Sequence, residues 1–380
     1  MKVLIENAVP LNNGDAALIF SLGQEFENRG DTVYYSTFHY KKVKRKYPEK
    51  NWIKSPLTKR RITKIPVINI IYLSLLLVLN PLFRKFDAVI SAPGGYINSF
   101  YGIEKKLLLL ERYRKVLNKP IYMYSQSIGP LNEKDKKRLK KAINHFNLFY
   151  VRDDRSMKRV NELGVFVPVF QTKDAAFLLP IKEPKKSREK KKIAISVRRW
   201  TENLDSVEIF KKNMEKIVRF FIQNKLEVTF ISTCQGEEGY PDDSLIAEEI
   251  VANLKADNAD TQLVSIDNTS YTLEEFITKL SAFDLVIGTR LHMCILSWLN
   301  GVPAFNISYE EKGRECFKYL GIEEYCLEYG DQNENLLYKI KKFIEDPELI
   351  QVFERVSEIH QENKYFFGKM YDDIKQHMKE

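Results

Sequence analysis

The stretch richest in chemistry is Thr289-Arg290-Leu291-His292, which follows the apolar run DLVIG and precedes the helical pattern LHMCILSWLN. An arginine, an imidazole and a helix N-terminus would converge at this turn. That combination suits an anionic ligand and a proton transfer near neutral pH. Lys312, in SYEEKG after the next strand pattern, is a second cation in reach of the same end of a sheet. Arg152, in LFYVRD, again follows an apolar strand, where it can meet an anion bidentately or pair with Asp153 or Asp174. In Ser196-Val197-Arg198-Arg199 the two arginines alternate in direction, so at most one faces a ligand; Arg198 is the candidate.

The remaining candidates are loops. Asn12-Asn13-Gly14-Asp15 lies between a strand and a helix, where Gly14 permits a tight turn and Asp15 either caps the helix or faces a substrate. Pro93-Gly94-Gly95-Tyr96 follows DAVISA and reads as a glycine turn that lets backbone approach a ligand. Gln126 and Ser127, ahead of Gly129-Pro130, are polar groups at a strand end that contact a sugar or cap the turn.

Several chemistries are absent from the pattern. No GxGxxG, GxxxxGK[ST] or GxSxG motif occurs, and no His, Cys, Asp and Glu set has zinc spacing. The four cysteines form no CxxC pair, which fits a reducing compartment, and a cytoplasmic location is expected. The apolar start after Lys2 has no cleavage-site pattern, so no secretory leader is expected.

Strands and helices alternate along the chain. KVLIENA, DTVYYSTF, DAVISA, PIYMYSQS and LFYVRD read as strands, with helices between them that stop at Gly30 and Gly164. The basic stretch 181–192 (IKEPKKSREKKK) interrupts this pattern and is the best linker. The alternation then restarts with KIAISVR, LEVTFIST, QLVSID, DLVIGTR and VPAFNIS as strands, and from Glu310 the chain reads as helical. The expected organisation is α/β: a Rossmann-like domain over 1–180, a linker over 181–192, a second Rossmann-like domain over 193–345, and a C-terminal helix over 346–380 returning to the first domain. Two parallel sheets would face a cleft, with ligands beyond the carboxyl ends of the strands.

A chain of 380 residues with 44% hydrophobic and 29% charged residues has the profile of globular domains. Lys+Arg 60 against Asp+Glu 51 gives a net charge of +9, favouring an anionic partner. The basic runs 41–46 and 134–141 lack interleaved aromatics, so no nucleic-acid partner is expected. Val67–Leu79 is nearly all apolar and flanked by Lys59, Arg60, Arg61, Lys64, Arg84 and Lys85. It is too short to span a bilayer; it is either a buried helix or one lying on an anionic membrane.

The ordered segments NNGDAAL, SAPGGYI, SQSIGP, YVRDDRS with NELG, TKDAAFLLP, ISVRRW and IGTRLHMCILSWLNGVPAFNISYEEKG resemble the polysaccharide pyruvyl transferase family from Asn12 to about Gly321. Two features depart from the family pattern. Val9-Pro10-Leu11 stands where an aromatic-glycine lead-in is usual, and Pro93-Gly94-Gly95 stands for a glycine triplet. The resemblance implies a GT-B-like fold and a transferase that needs no cofactor. Its donor would be phosphoenolpyruvate and its acceptor a sugar of a cell-surface glycan or of a lipid-linked oligosaccharide, giving a pyruvate ketal. It implies His292 and Asp15 as catalytic residues. Arg290, Leu291, Arg152, Lys312 and Arg198 would bind the donor, and Asn12, Asn13, Gly14, Gly94, Gly95, Gln126 and Ser127 would line the acceptor side. The competing readings are a nucleotide-sugar glycosyltransferase of the same fold and a non-catalytic glycan-binding protein.

Overall fold

The structure, a computed structural model, describes residues 1–57, 66–184, 191–200, 204–330 and 335–379. Residues 185–190 of the expected linker and the cations Lys59, Arg60, Arg61 and Lys64 lie outside the described residues. The chain forms two compact units. One comprises Met1–Pro10, Leu18–Leu178 and His360–Glu380, the other Leu11–Ala17 and Leu179–Ile359.

The first unit holds strands β1 (Lys2–Glu6), β2 (Thr32–Thr37), β3 (Asn51–Lys54), β4 (Ala88–Ser91), β5 (Gly94–Ile97), β6 (Ile121–Ile128), β7 (Leu148–Val151) and β8 (Val169–Gln171). The order is β3-β2-β1-β4-β6-β7-β8, with β5 beside β6. Every pairing described is parallel, for instance Ile5 with both Tyr35 and Ile90. Strands covered by helices on both faces carry unbroken apolar runs, as VLI in β1 and AVI in β4 do. Their side chains join the helix Glu104–Leu117 in a core that includes Leu4, Val89, Leu107 and Ile121. The chain turns back between β1 and β4, so the carboxyl ends of these two strands form a switch point.

The second unit repeats the plan. Strands β9 (Lys192–Ser196), β10 (Glu227–Phe230), β11 (Val264–Ile266), β12 (Leu285–Gly288), β13 (Ala304–Ser308) and β14 (Cys326–Glu328) lie in the order β11-β10-β9-β12-β13-β14, all parallel. Its switch point lies between β9 and β12.

Local signals explain most element ends. Gly30, Gly164 and Gly301 take positive φ just past helices, a conformation open to glycine without penalty. Thr272 caps the helix Leu273–Leu280 and forms a reciprocal capping box with Glu275. Two expectations need correction. Gly94-Gly95 is not a plain turn: it opens β5, with Gly94 at φ 146 and paired with Gln126. The region after Glu310 is not all helical, because Cys326–Glu328 adds the edge strand β14 against Asn306–Ser308.

The loop Leu11–Ala17 belongs to the second unit, although its neighbours in sequence belong to the first. Backbone bonding accounts for this: Asn13 N donates to Thr233 O at 2.8 Å. The last helix, Leu349–His377, contributes its residues from His360 onward to the first unit. There Phe367 meets Phe26 edge-on at 4.8 Å, and the Tyr124 hydroxyl donates to Asn363 O.

Candidate functional site

Within the second unit, the carboxyl ends of β9 and β12 hold a charged cluster. Ser196 ends β9, and its Oγ accepts from Thr289 N at 3.0 Å and Arg290 N at 3.3 Å. This shapes the turn that leads from β12 into the helix Leu291–Leu299. Arg290 is the N-cap residue of that helix in extended backbone, Leu291 is its buried first residue, and His292 is its half-buried second. The sequence therefore places the arginine and imidazole correctly at a strand-to-helix junction.

The guanidinium is oriented by Asp243. Arg290 Nε donates to Asp243 Oδ2 at 2.8 Å and Nη2 to Oδ1 at 2.7 Å, a bidentate pair. Ser232 Oγ donates to Asp243 Oδ2 at 2.5 Å. Burial works against the charge on Arg290, but the Asp243 carboxylate outweighs it and holds the arginine charged. Asp243 takes two of the five guanidinium N–H groups and locks the plane of the rest.

The Asn12–Asp15 loop reaches the same cluster. Asn12 Oδ1 accepts from Asp15 N at 2.8 Å, so Asn12, not Asp15, caps the helix Asn13–Glu27. Asp15 takes the third helical position, and its Oδ2 accepts from Asn12 Nδ2 at 2.7 Å. Asn12 Nδ2 also lies 3.5 Å from the Tyr240 hydroxyl. Burial first, then the charge of Asp15, pushes the Tyr240 phenol up to about 12. Gly14 packs on His292. The Cys234 thiol lies within the fields of Arg290, Asp243, Asp15 and Arg198; burial dominates and pushes it up to about 11, leaving it a poor nucleophile.

Arg198 and Arg199 part company. The Arg198 guanidinium lies 4.3 Å over the Tyr309 ring and 4.9 Å over that of Trp200, and it donates to the Tyr309 hydroxyl. Arg199 pairs with Glu249 on the surface. Lys312 opens the helix Glu311–Tyr319 after β13 and pairs with Glu310.

The other candidates lie in the first unit. Arg152 forms the structural pair left open by the sequence: its Nη1 binds Asp174 Oδ2 at 2.6 Å, both side chains being buried. Its Nε donates to Ser127 Oγ at 2.6 Å, and that hydroxyl donates to Asp153 Oδ2 at 2.7 Å. Gln126 Nε2 donates to Gly94 O. A Cβ on Gly95 would lie 3.7 Å from Arg152 Nη2. So Asn12, Gly14, Asp15, Arg198, Arg290, Leu291 and His292 gather in the second unit, and Gly94, Gly95, Gln126, Ser127 and Arg152 in the first.

Sequence reasoning missed Asp243, Ser232, Tyr240 and Tyr309. The signal for Asp243 was Pro241-Asp242-Asp243-Ser244, two acids at a helix start. Asp242 Oδ1 accepts from Ser244 N at 2.9 Å, which leaves Asp243 for Arg290. Among the described residues, no group of three His, Cys, Asp or Glu is placed to hold a metal ion.

Two parallel-sheet α/β domains with ligand-suited strand ends place the chain among GT-B-like proteins. It superposes on the UDP-GlcNAc 2-epimerase of Neisseria meningitidis with a TM-score of 0.62 at 11% identity, covering 98% of this chain and 100% of that one. It also superposes on the sucrose-phosphate synthase of Thermosynechococcus elongatus with a TM-score of 0.61 at 11% identity, covering 98% and 99%. At that identity the likeness is one of fold. Residues 12–311 match the model of the polysaccharide pyruvyl transferase family, and the chain belongs to that family. It is 27% identical over 262 residues to the amylovoran biosynthesis protein AmsJ of Erwinia amylovora. That alignment covers 63% of this chain and 61% of AmsJ.

Proposed function

We propose that this chain transfers the enolpyruvyl group of phosphoenolpyruvate to a sugar of a cell-surface glycan or its lipid-linked precursor, releasing phosphate and leaving a pyruvate ketal. The observation that carries this reading is the turn where Arg290, clamped by Asp243, meets His292, packed on Gly14. Phosphoenolpyruvate brings a carboxylate and a phosphate, and a fixed guanidinium is the preferred partner for either.

The steps follow from charge. Arg290 binds the donor, with Arg198 and Lys312 as further cations of the same unit. His292 delivers a proton to the methylene carbon of the donor, and the central carbon becomes cation-like. A sugar hydroxyl adds there and gives up its proton to Asp15. A second hydroxyl of the same sugar then displaces phosphate and closes the ketal, its proton restoring His292 while the proton held by Asp15 leaves with the phosphate.

The acceptor's lipid would place the enzyme at the inner face of the cell membrane, and the helix Pro66–Leu79 offers a contact. Its inward side buries Leu73 and Leu77, while Val67, Ile71, Leu75 and Leu79 point outward, 53 to 75% exposed. Arg84 and Lys85 follow it as exposed cations. No helix among the described residues is long and apolar enough to cross a membrane. A helix of this kind lies on an anionic surface.

The test is thermal stability with phosphoenolpyruvate and, separately, with nucleotide-sugars. A ligand of the folded state raises the melting temperature by mass action. A rise with phosphoenolpyruvate that vanishes in Arg290→Ala is expected. A rise with nucleotide-sugars alone would overturn the reading in favour of a glycosyltransferase.

A further inference from the structure

Lys106 is a cation that the proposed reaction leaves unused. It is the third residue of the helix Glu104–Leu117, and its side chain is half-buried. The ammonium lies 4.8 Å from the centre of the Tyr96 ring and 5.9 Å from that of Tyr101. Tyr96 is fixed in place, because its hydroxyl donates to Ala92 O at 2.9 Å and contacts Ser91 Oγ. Tyr101 in turn meets Phe100 edge-on at 5.1 Å. Aromatic surface therefore flanks the amine on two sides.

The carboxylates of this corner are committed elsewhere. Glu104 pairs with Arg138 at 2.9 Å, and two places along a helix it does not face Lys106. Asp135 accepts from Ser99 Oγ at 2.6 Å. Aromatic rings give an ammonium only part of what it loses on leaving water. The first turn of a helix also carries the positive end of its dipole. Burial dominates, and it holds the ammonium of Lys106 below the usual lysine range. Its neighbour Lys105 is exposed and keeps its water. Desolvated lysines are the ones that act as amine nucleophiles near neutral pH.

We infer that Lys106, set between Tyr96 and Tyr101, is a nucleophilic amine at which activated acyl groups, acyl phosphates in particular, modify this chain. In that step the neutral Nζ adds to the acyl carbonyl carbon. The N–C bond forms and the bond from that carbon to the phosphate oxygen breaks. Phosphate leaves with the electron pair, and the proton of the amine passes to solvent. The product is a neutral amide, which gives up the attraction to both rings. This inference is independent of the donor and acceptor proposed above.

The experiment treats the full chain with acetyl phosphate near neutral pH and follows acetylation of each lysine over time by peptide mass spectrometry. Lys106 is expected to react roughly tenfold faster than Lys105, or more. Tyr101 is 59% exposed, so Tyr101→Ala should fold and melt as the wild type does. In that variant the ammonium regains water, and the rate at Lys106 should fall to within about twofold of that at Lys105. A rate at Lys106 equal to or below that of Lys105 in the wild type would overturn the inference. So would a rate that holds or rises in Tyr101→Ala, since the rings would then not be its cause. Preferential acetylation of Lys106 in a protein that never responds to phosphoenolpyruvate would keep this inference and overturn the donor assignment instead.

Discussion

Gly14 and His292 are packed so closely that a Cβ added to Gly14 would lie 2.6 Å from the imidazole Nδ1 and 3.0 Å from Cγ. The glycine is thus required by the ring beside it, since its φ is ordinary. Gly14→Ala must push the imidazole aside or shift the helix start, because Asn12 Oδ1 closes another side at 3.1 Å. Overpacking of this kind costs about 1–3 kcal/mol. If His292 moves protons in the reaction, turnover falls about tenfold to a hundredfold in Gly14→Ala, and about 10²- to 10⁴-fold in His292→Ala. Turnover of the two variants, with phosphoenolpyruvate binding measured in parallel, checks this. Wild-type turnover in His292→Ala would remove the residue from the mechanism.

Asp243 should matter as much to Arg290 as Arg290 does to the donor. Asp243→Asn removes the charge that holds a largely buried guanidinium and leaves only a neutral acceptor. Breaking such a pair by deleting one partner costs about 3 kcal/mol. The expected result is a lower denaturation midpoint in urea together with weaker phosphoenolpyruvate binding. Asp242→Asn, at a neighbouring carboxylate that bonds Ser244, should leave donor binding unchanged. Equal effects from both variants would mean that the loop is acting only as scaffold.

Glu6 supplies a prediction about pH. Burial pushes its carboxyl up from 4.5 to about 6, and bonds from Ser36, Asn7, Tyr113 and Ser55 only partly offset this. For an acid raised in the folded state, the stabilising contribution is complete below the unfolded value and is lost as pH rises through the folded one. Stability should therefore drop by about 2 kcal/mol between roughly pH 4.5 and 6.5, at 1.36 kcal/mol per unit. Glu6→Gln should flatten that part of the curve. Urea unfolding at closely spaced pH values reads it directly; an identical slope in both proteins would assign the pH dependence elsewhere.

The parts legible in the sequence were those with local causes. Strand runs such as KVLI and DLVIG and helix stops at Gly30 and Gly164 each depend on a few neighbouring residues. The Arg290–His292 turn was legible because a strand end and a helix start locate it. What stayed hidden depends on distant partners. Nothing near Asp243 announces an arginine 47 positions away, and nothing in NNGDAAL shows that the loop groups with Thr233 and His292. Arg152 had two plausible carboxylates, and only the packing of β7 against β8 selects Asp174. The edge strand Cys326–Glu328 is three residues long, too short for any periodicity to register.

The helix Pro66–Leu79 yields the last prediction. Val67, Ile71, Leu75 and Leu79 recur every four residues, so they line one side, and that side is the exposed one. The opposite side already buries Leu73 and Leu77 in the first core, so the outward residues add nothing to folding of the unit. Replacing them should be nearly neutral for stability, whereas it should matter to any surface they touch. Each apolar side chain moved from water into a bilayer interface gains about 1 kcal/mol or more, and neighbouring cations add roughly 1 kcal/mol each on anionic lipid. In flotation with vesicles rich in phosphatidylglycerol, the wild type should rise with the lipid. Ile71→Glu/Leu75→Glu should stay with the soluble fraction at an unchanged melting temperature, and added salt should weaken the wild-type binding. Binding that persists in the double variant would move the contact away from this helix. A fall in melting temperature would show instead that the exposed face is covered by other protein.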